Sequence, residues 1–330
     1  MKTAFISNNT EQLYSVYSKD VIETIKSTTD LYDVIISSDN VREHIDALKN
    51  VDFFFSTWGI PNFDDEIIDE FKNLKCIFYA ASSVKHFAEP YLARGVKIVN
   101  AGFVNGAYVA NYTFAQIMLA AKGFFLQTRI GDEHAPYSLN GTDIFGCYNR
   151  PVGVLGAGNI GKEVIKKLVS ENMIPYVYDP YLTNDQAKEF GAIKATVDEI
   201  FENCIVISNH TPKTPETNNM IGRKQFELMQ SGATFINTAN GNSVNEEEFV
   251  EVFKKRNDII ALLDVVVTEP LPEESPINRL NNVFRTPHIA GAHGSENNRM
   301  AVSCVNEMNK FIAGESLKYE ITAEMLKTMA

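Results

Sequence analysis

Residues 152–161 read VGVLGAGNIG, and the reading of the fold starts there. Val152, Val154 and Leu155 form a short apolar run without helical spacing, the pattern of a buried parallel strand. Gly156, Gly158 and Gly161 then spell G-x-G-x-x-G. Residues 162–172 continue as KEVIKKLVSEN, with Val164, Ile165, Leu168 and Val169 recurring at threes and fours, as one face of a helix requires. The glycines therefore occupy a strand-to-helix turn. Gly156 permits the tight turn, Gly158 lets a pyrophosphate approach the backbone, and Gly161 lets helix and strand pack closely. The free N–H groups and positive end of that helix, which opens at Asn159 and Ile160, favour phosphates.

A glycine-rich turn alone also arises as plain packing. Here a second apolar run, residues 174–178 (IPYVY), ends in Asp179, 18 residues after Gly161. A carboxylate at that spacing meets the hydroxyls of an adenosine ribose and repels a 2′-phosphate. Strand, turn, helix and acid together predict a dinucleotide site for NAD rather than NADP.

The bulk composition bounds the rest. A chain of 330 residues has room for two domains, and 45% hydrophobic residues can build their cores. A net charge of −12 argues against a nucleic-acid partner or an anionic membrane surface. Cys76, Cys147, Cys204 and Cys304 are far apart and form no C-x-x-C, so neither a metal site nor a disulfide framework is expected. Three of them lie in or beside apolar runs and read as buried thiols. The start, MKTAFISNN, lacks the apolar core of a signal peptide, and no run approaches a membrane span. A cytoplasmic protein is expected.

Residues 1–100 alternate short apolar runs (4–6, 34–36, 51–55, 76–80 and 96–99) with helical patterns at 10–26, 64–74 and 84–95. Such alternation means a parallel α/β sheet. Residues 108–122 read as a long apolar helix connecting the two halves. Residues 131–150 read as a loop, with turn residues such as Ala135-Pro136 and Asn140-Gly141. Strands resume at 205–208, 234–237, 259–263 and 283–285, and a helix is expected over 296–312. If that helix crosses back onto the first half, the smaller domain is discontinuous.

Three polar residues fall at or just past strand ends, where open α/β sheets bind ligands: Asn240, Glu269 and His288. From spacing alone, His288 and Glu269 are equally well solvated loop residues.

The motifs VGVLGAGNIG, VYDP, SNHTPKTPETNNMIG, FINTANG, ALLDVVVTEPLP and TPHIAG occur in this order. In this respect the chain resembles the D-isomer-specific 2-hydroxyacid dehydrogenases, a family that includes phosphoglycerate, D-lactate and formate dehydrogenases and glyoxylate reductases. The resemblance is weak over residues 1–75 and strong over 152–291. It implies two Rossmann-like or flavodoxin-like parallel-sheet domains with the active site in an interdomain cleft. Residues 1–106 and 295–330 would form the substrate-binding domain and 107–294 the NAD-binding domain, in a homodimer. It implies His288 as the general acid/base and Glu269 as its paired carboxylate, which favours the imidazolium form that donates a proton. It implies cofactor contacts from His210, Thr211 and Pro212, from Thr217, Thr238, Ala239 and Gly291, and from Asp264 beside the nicotinamide carboxamide.

Two departures from the family pattern matter. Asn240 stands where the family usually has an arginine that grips the substrate. An amide brings no charge and no guanidinium fork, so weak turnover of simple 2-oxo acids is expected. Residues 80–87, AASSVKHF, replace a stretch that often carries glycines. Ser82 and Ser83 could still donate to a substrate carboxylate, with Asn240, and Lys85 could restore the missing charge. Trp58 could wall the cleft. The expected activity is hydride transfer between NAD and C2 of a small D-2-hydroxy acid or 2-oxo acid. Two alternatives stand beside it: an NAD(H)-binding protein without turnover, and a dehydrogenase for a substrate lacking a carboxylate.

Overall fold

The computed structural model describes residues 1–130 and 145–326. The loop expected over 131–150 therefore lies outside the described residues except for 145–150. The chain divides into two compact units, Met1–Asn105 with Ala292–Ala330, and Gly106–Gly291.

In the first unit β1 (Lys2–Phe5), β2 (Asp30–Leu31), β3 (Phe53–Ser56), β4 (Cys76–Tyr79) and β5 (Lys97–Asn100) form a parallel sheet in the order β2-β1-β3-β4-β5. This is the flavodoxin-like order. The segment Glu320–Ile321 adds an antiparallel edge on β5. Every residue of β3 and β4 is buried, as a parallel sheet covered on both faces requires. One face stacks Phe55 on Phe78 and sets Phe53 edge-on to Phe311 of the helix Asn297–Ala313. The other face buries Phe54, Ile77 and Tyr79. Each such aromatic contributes about 1.5–3 kcal/mol on leaving water. The helix Asn297–Ala313 is thus part of the first unit although the whole second unit precedes it in the chain. Glu307 on this helix is buried and accepts N–H bonds from Lys318 and Tyr319, which ties down the segment that follows.

The second unit holds β6 (Pro151–Leu155), β7 (Ile174–Tyr178), β8 (Ile193–Lys194), β9 (Val206–Asn209), β10 (Thr234–Asn237), β11 (Ile260–Leu263) and β12 (Val283–Arg285). They run parallel in the order β12-β11-β10-β9-β6-β7-β8. Chain order reverses beside β6, which is flanked by β7 and β9, so the turn after β6 and the loop after β9 meet at a topological switch point. The helices here are locally encoded. Thr196 and Glu199 form a capping box for Val197–Asn203, and Asn245 caps Glu246–Lys255, which has three glutamates in its first turn and two lysines in its last.

Several expected elements differ. The single helix expected over 10–26 is two, Thr10–Val16 and Lys19–Thr28. The break falls at Tyr17, which is extended so that its buried hydroxyl donates to the Ser56 carbonyl. The strand expected at 34–36 reduces to one bridge between Ile6 and Ile36, because Ile36 is buried while Val34 at the sheet edge is exposed. The connector helix is Gly102–Ala121, beginning earlier than expected, and Ile160 packs close against it at Gly106. Cys76, Cys204 and Cys304 are buried and Cys147 is half-buried. Among the described residues no helix is long and apolar enough to cross a membrane.

Candidate functional site

The glycine-rich turn leaves β6 at Gly156, whose φ of 94° is in the left-handed region. A Cβ there would stand 2.7 Å from the His210 carbonyl oxygen, so the turn and the loop after β9 are in close contact. A Cβ on Gly161 would collide with the carbonyl of Gly156. A Cβ on Gly158 would meet nothing within 4 Å. Gly158 is the N-cap of the helix Asn159–Ser170 and has no side chain to satisfy the first N–H groups. The turn therefore presents an open, uncapped amide face. Oδ2 of Asp179 accepts the Ala157 N–H at 2.8 Å, and Oδ1 accepts the Tyr181 N–H at 2.9 Å. These residues fit a dinucleotide: bare amides for a diphosphate, and a carboxylate beside them with acceptor sites left for hydroxyls.

Beyond β9 the polar side chains close on one another. Asn209 is buried; its amide donates to Asn237 and Ser243, and its oxygen accepts the N–H and hydroxyl of Thr211. The Thr217 hydroxyl donates to the Pro212 carbonyl, inside its own loop. Thr238 is bonded to Thr113, and the Ala239 N–H goes to Asn237. Nε2 of His210 lies 2.7 Å from Ser208 Oγ, and its Nδ1 is buried without a partner. Burial pushes the His210 pKa down to about 3, so the ring is neutral.

Asn240 belongs to the same network. Its Nδ2 donates to the Thr211 carbonyl at 2.9 Å and its Oδ1 accepts the Ser243 N–H at 3.1 Å. One donor and one acceptor of the amide are thus engaged locally, as an N-cap of the turn Gly241–Ser243. The short side chain reaches the backbone around it, and the second amide hydrogen takes no part in these two bonds.

His288 and Glu269, 19 residues apart, are brought together: His288 Nδ1 is 2.8 Å from Glu269 Oε2. Oε1 of Glu269 accepts the Val266 N–H, which fixes the carboxylate. The His288 side chain is 64% exposed, so the pair is reachable. With Nδ1 engaged, Nε2 is the ring nitrogen left to exchange a proton. His288 has a φ of 55°, and its N–H donates to the Asp264 carbonyl. The Asp264 carboxylate is buried and accepts from Thr286, Ile289 and Ala290; Gly291 follows directly.

The remaining expected residues lie in the first unit. Trp58 packs against its core. Ser82 follows β4, with its hydroxyl oxygen buried without a partner and its carbonyl accepting from Asn100. Ser83 and Lys85 are exposed on the same stretch. Reading by sequence missed Asn209, Ser243, Thr286 and Tyr112. Thr286 carried a usable signal, sitting two residues before His288; the others carried none.

The family model described as "D-isomer specific 2-hydroxyacid dehydrogenase, NAD binding domain" matches residues 116–290, more than half of the chain. The chain is similar to a D-3-phosphoglycerate dehydrogenase of Methanocaldococcus jannaschii, 30% identical over 299 residues, covering 89% of this chain and 56% of that one. It is also similar to a glyoxylate reductase of Korarchaeum cryptofilum, 28% identical over 290 residues, covering 86% of each. The chain spans about half the length of the phosphoglycerate dehydrogenases it matches first. Among solved structures it resembles a phosphoglycerate oxidoreductase from Rhizobium etli, with a TM-score of 0.80 at 21% identity over 98% of each chain.

Proposed function

The chain belongs to the D-isomer specific 2-hydroxyacid dehydrogenases, and on that premise we propose that it interconverts a small D-2-hydroxy acid and its 2-oxo acid with NAD. When bound, NAD supplies the hydride acceptor, and its reduced form the hydride donor, at C4 of the nicotinamide. Gly156, Gly158 and Gly161, with the uncapped helix start, would hold the diphosphate, and Asp179 the ribose. His288 takes the hydroxyl proton through Nε2 in oxidation and returns it to the keto oxygen in reduction. Glu269 fixes the ring and balances its positive charge. Ser82, Ser83 and Lys85 are the proposed anchors for the substrate carboxylate. The protein is proposed to work in the cytoplasm, as a homodimer on the family resemblance.

The observation that carries this reading is the 2.8 Å contact between His288 and Glu269. Placing a fixed carboxylate on an exposed imidazole is what a proton-transfer site needs and what a cofactor-binding protein does not. The test is NADH oxidation with a panel of 2-oxo acids, for the parent chain and for His288→Asn. Turnover that falls by about 10³-fold in His288→Asn, with NADH affinity kept, supports the reading. Tight NADH binding with no turnover on any 2-oxo acid overturns it. That outcome would favour the second reading, binding without catalysis, which draws its support from the locally engaged amide of Asn240.

A further inference from the structure

Asn209 and Asn237 end the neighbouring strands β9 and β10, where they are register partners, and both are buried. Asn209 uses all of its hydrogen-bonding capacity. Its Nδ2 donates to Asn237 Oδ1 at 3.0 Å and to Ser243 Oγ at 2.8 Å. Its Oδ1 accepts the Thr211 N–H at 3.2 Å and the Thr211 hydroxyl at 2.8 Å. A backbone N–H can only donate, so Thr211 settles which end of the Asn209 amide is the oxygen.

Each of these three partners bonds in turn to Asn240. Asn237 Nδ2 donates to the Asn240 carbonyl at 2.9 Å, and the Ser243 hydroxyl donates to the same carbonyl at 3.0 Å. The Thr211 carbonyl accepts from Asn240 Nδ2 at 2.9 Å. Backbone and side chain of Asn240 are thus both held by groups that Asn209 orients. The Ser243 N–H fixes Asn240 Oδ1, so one hydrogen of Nδ2 stays outside the network. Asn240 is half-buried, and its neighbour Gly241 presses on Val266, where a Cβ would come within 2.1 Å of the carbonyl carbon. The Val266 N–H is the group that fixes Glu269, the partner of His288. The remaining N–H therefore belongs to a rigid turn packed against the segment that holds the proton-exchanging pair.

We propose that Asn209 is a positioning residue which, through Asn237, Ser243 and Thr211, holds the Asn240 amide so that its remaining N–H is presented to an oxygen of the 2-oxo acid. The inference rests on the reading of the chain as an enzyme of 2-oxo acids. A neutral amide is a weaker donor than a cation, so its use to a substrate depends on being ordered before the substrate arrives. A buried network in which every member is satisfied resists rearrangement and supplies that order.

The test uses the full chain and a double-mutant cycle between Asn209→Leu and Asn240→Ala. Steady-state KM and kcat for a 2-oxo acid, the NADH dissociation constant and the urea unfolding midpoint are read for each. Asn209→Leu is expected to lower kcat/KM about tenfold, chiefly by raising KM, while NADH affinity stays within about threefold. Asn240→Ala is expected to lower kcat/KM by about the same factor. In the Asn240→Ala background, Asn209→Leu should change kcat/KM by less than about twofold, although it lowers the urea midpoint in both backgrounds. Ser243→Ala removes a single arm and serves where Asn209→Leu does not fold; it should lower kcat/KM about threefold, and Ser243→Thr, which keeps the hydroxyl, should recover most of that. Losses of kcat/KM that multiply in the double variant overturn the proposal. So does an effect of Asn209→Leu or Ser243→Ala confined to the urea midpoint, which would make the network purely structural. Absence of turnover in the parent chain overturns the 2-oxo acid reading itself, and the role of Asn240 with it; turnover in the parent chain with independent effects at 209 and 240 overturns the positioning role alone.

Discussion

The carboxylate of Asp179 accepts the N–H of Ala157 across 2.8 Å, which joins the end of β7 to the middle of the glycine-rich turn. Asp179 thus shapes the turn as well as offering acceptors to a ribose. Asp179→Ala should remove both effects. NADH should bind about tenfold more weakly, a loss of about 1.4 kcal/mol, and the preference against NADPH should shrink. Fluorescence titration with both cofactors measures this. An unchanged preference would show that Asp179 does not face the ribose.

Gly158 and Gly161 should separate binding from folding. A methyl on Gly161 meets a backbone carbonyl that cannot swing aside, so Gly161→Ala should lose about 1–3 kcal/mol of stability in urea unfolding. A methyl on Gly158 meets open space, so Gly158→Ala should change stability by less than about 0.5 kcal/mol. It should nonetheless raise the NADH dissociation constant at least about tenfold, because the space it fills is where the diphosphate must lie. Equal NADH affinity in Gly158→Ala and the parent chain would remove the diphosphate from this turn.

Asn240 combines a cap with a missing charge. Asn240→Ala should cost about 1 kcal/mol through loss of the acceptor for Ser243. Asn240→Arg loses the same cap but restores a cation. Charged hydrogen bonds contribute about 1.5–3 kcal/mol against about 1 for neutral ones, so kcat/KM for 2-oxo acids should rise about tenfold. Lys85→Ala should lower it. If kcat/KM moves in neither variant, the substrate carboxylate is held elsewhere.

His210 gives a pH dependence with a definite sign. Its folded pKa is pushed down to about 3 by burial, against about 6.5 in an unfolded chain. Between these values the unfolded chain binds a proton that the folded chain refuses. Stability therefore falls as pH falls below about 6.5, by at most about 1.4 kcal/mol per pH unit from this group, and the loss levels off below pH 3. His210→Asn should flatten that part of the stability profile. Unfolding midpoints in urea between pH 4.5 and 7 give the comparison, and parallel profiles for variant and parent chain would contradict the burial.

Much of the architecture was legible in local pattern. The run Val152–Leu155, three glycines at fixed spacing and the amphipathic stretch behind them specify strand, turn and helix through neighbours in sequence, and the structure has β6 and Asn159–Ser170 there. Alternating apolar runs likewise announced two parallel sheets. Local pattern failed where a distant group intervened. Tyr17 interrupts a helix because its hydroxyl reaches a carbonyl on β3, 39 residues on.

The sequence by itself determined the central strands of both sheets, the glycine-rich turn, the acid at Asp179 and the chemical types placed at 240, 269 and 288. Only the tertiary structure decided which of those groups meet. Parallel strands bring residues far apart in the chain to one sheet edge, so the pairing of His288 with Glu269, the convergence of residues 286–290 on Asp264, and the turning of the Asn240 amide onto Thr211 depend on strand order and loop path. A hydrogen bond needs its partners within about 3 Å, and that proximity is created by the fold, not by spacing along the chain.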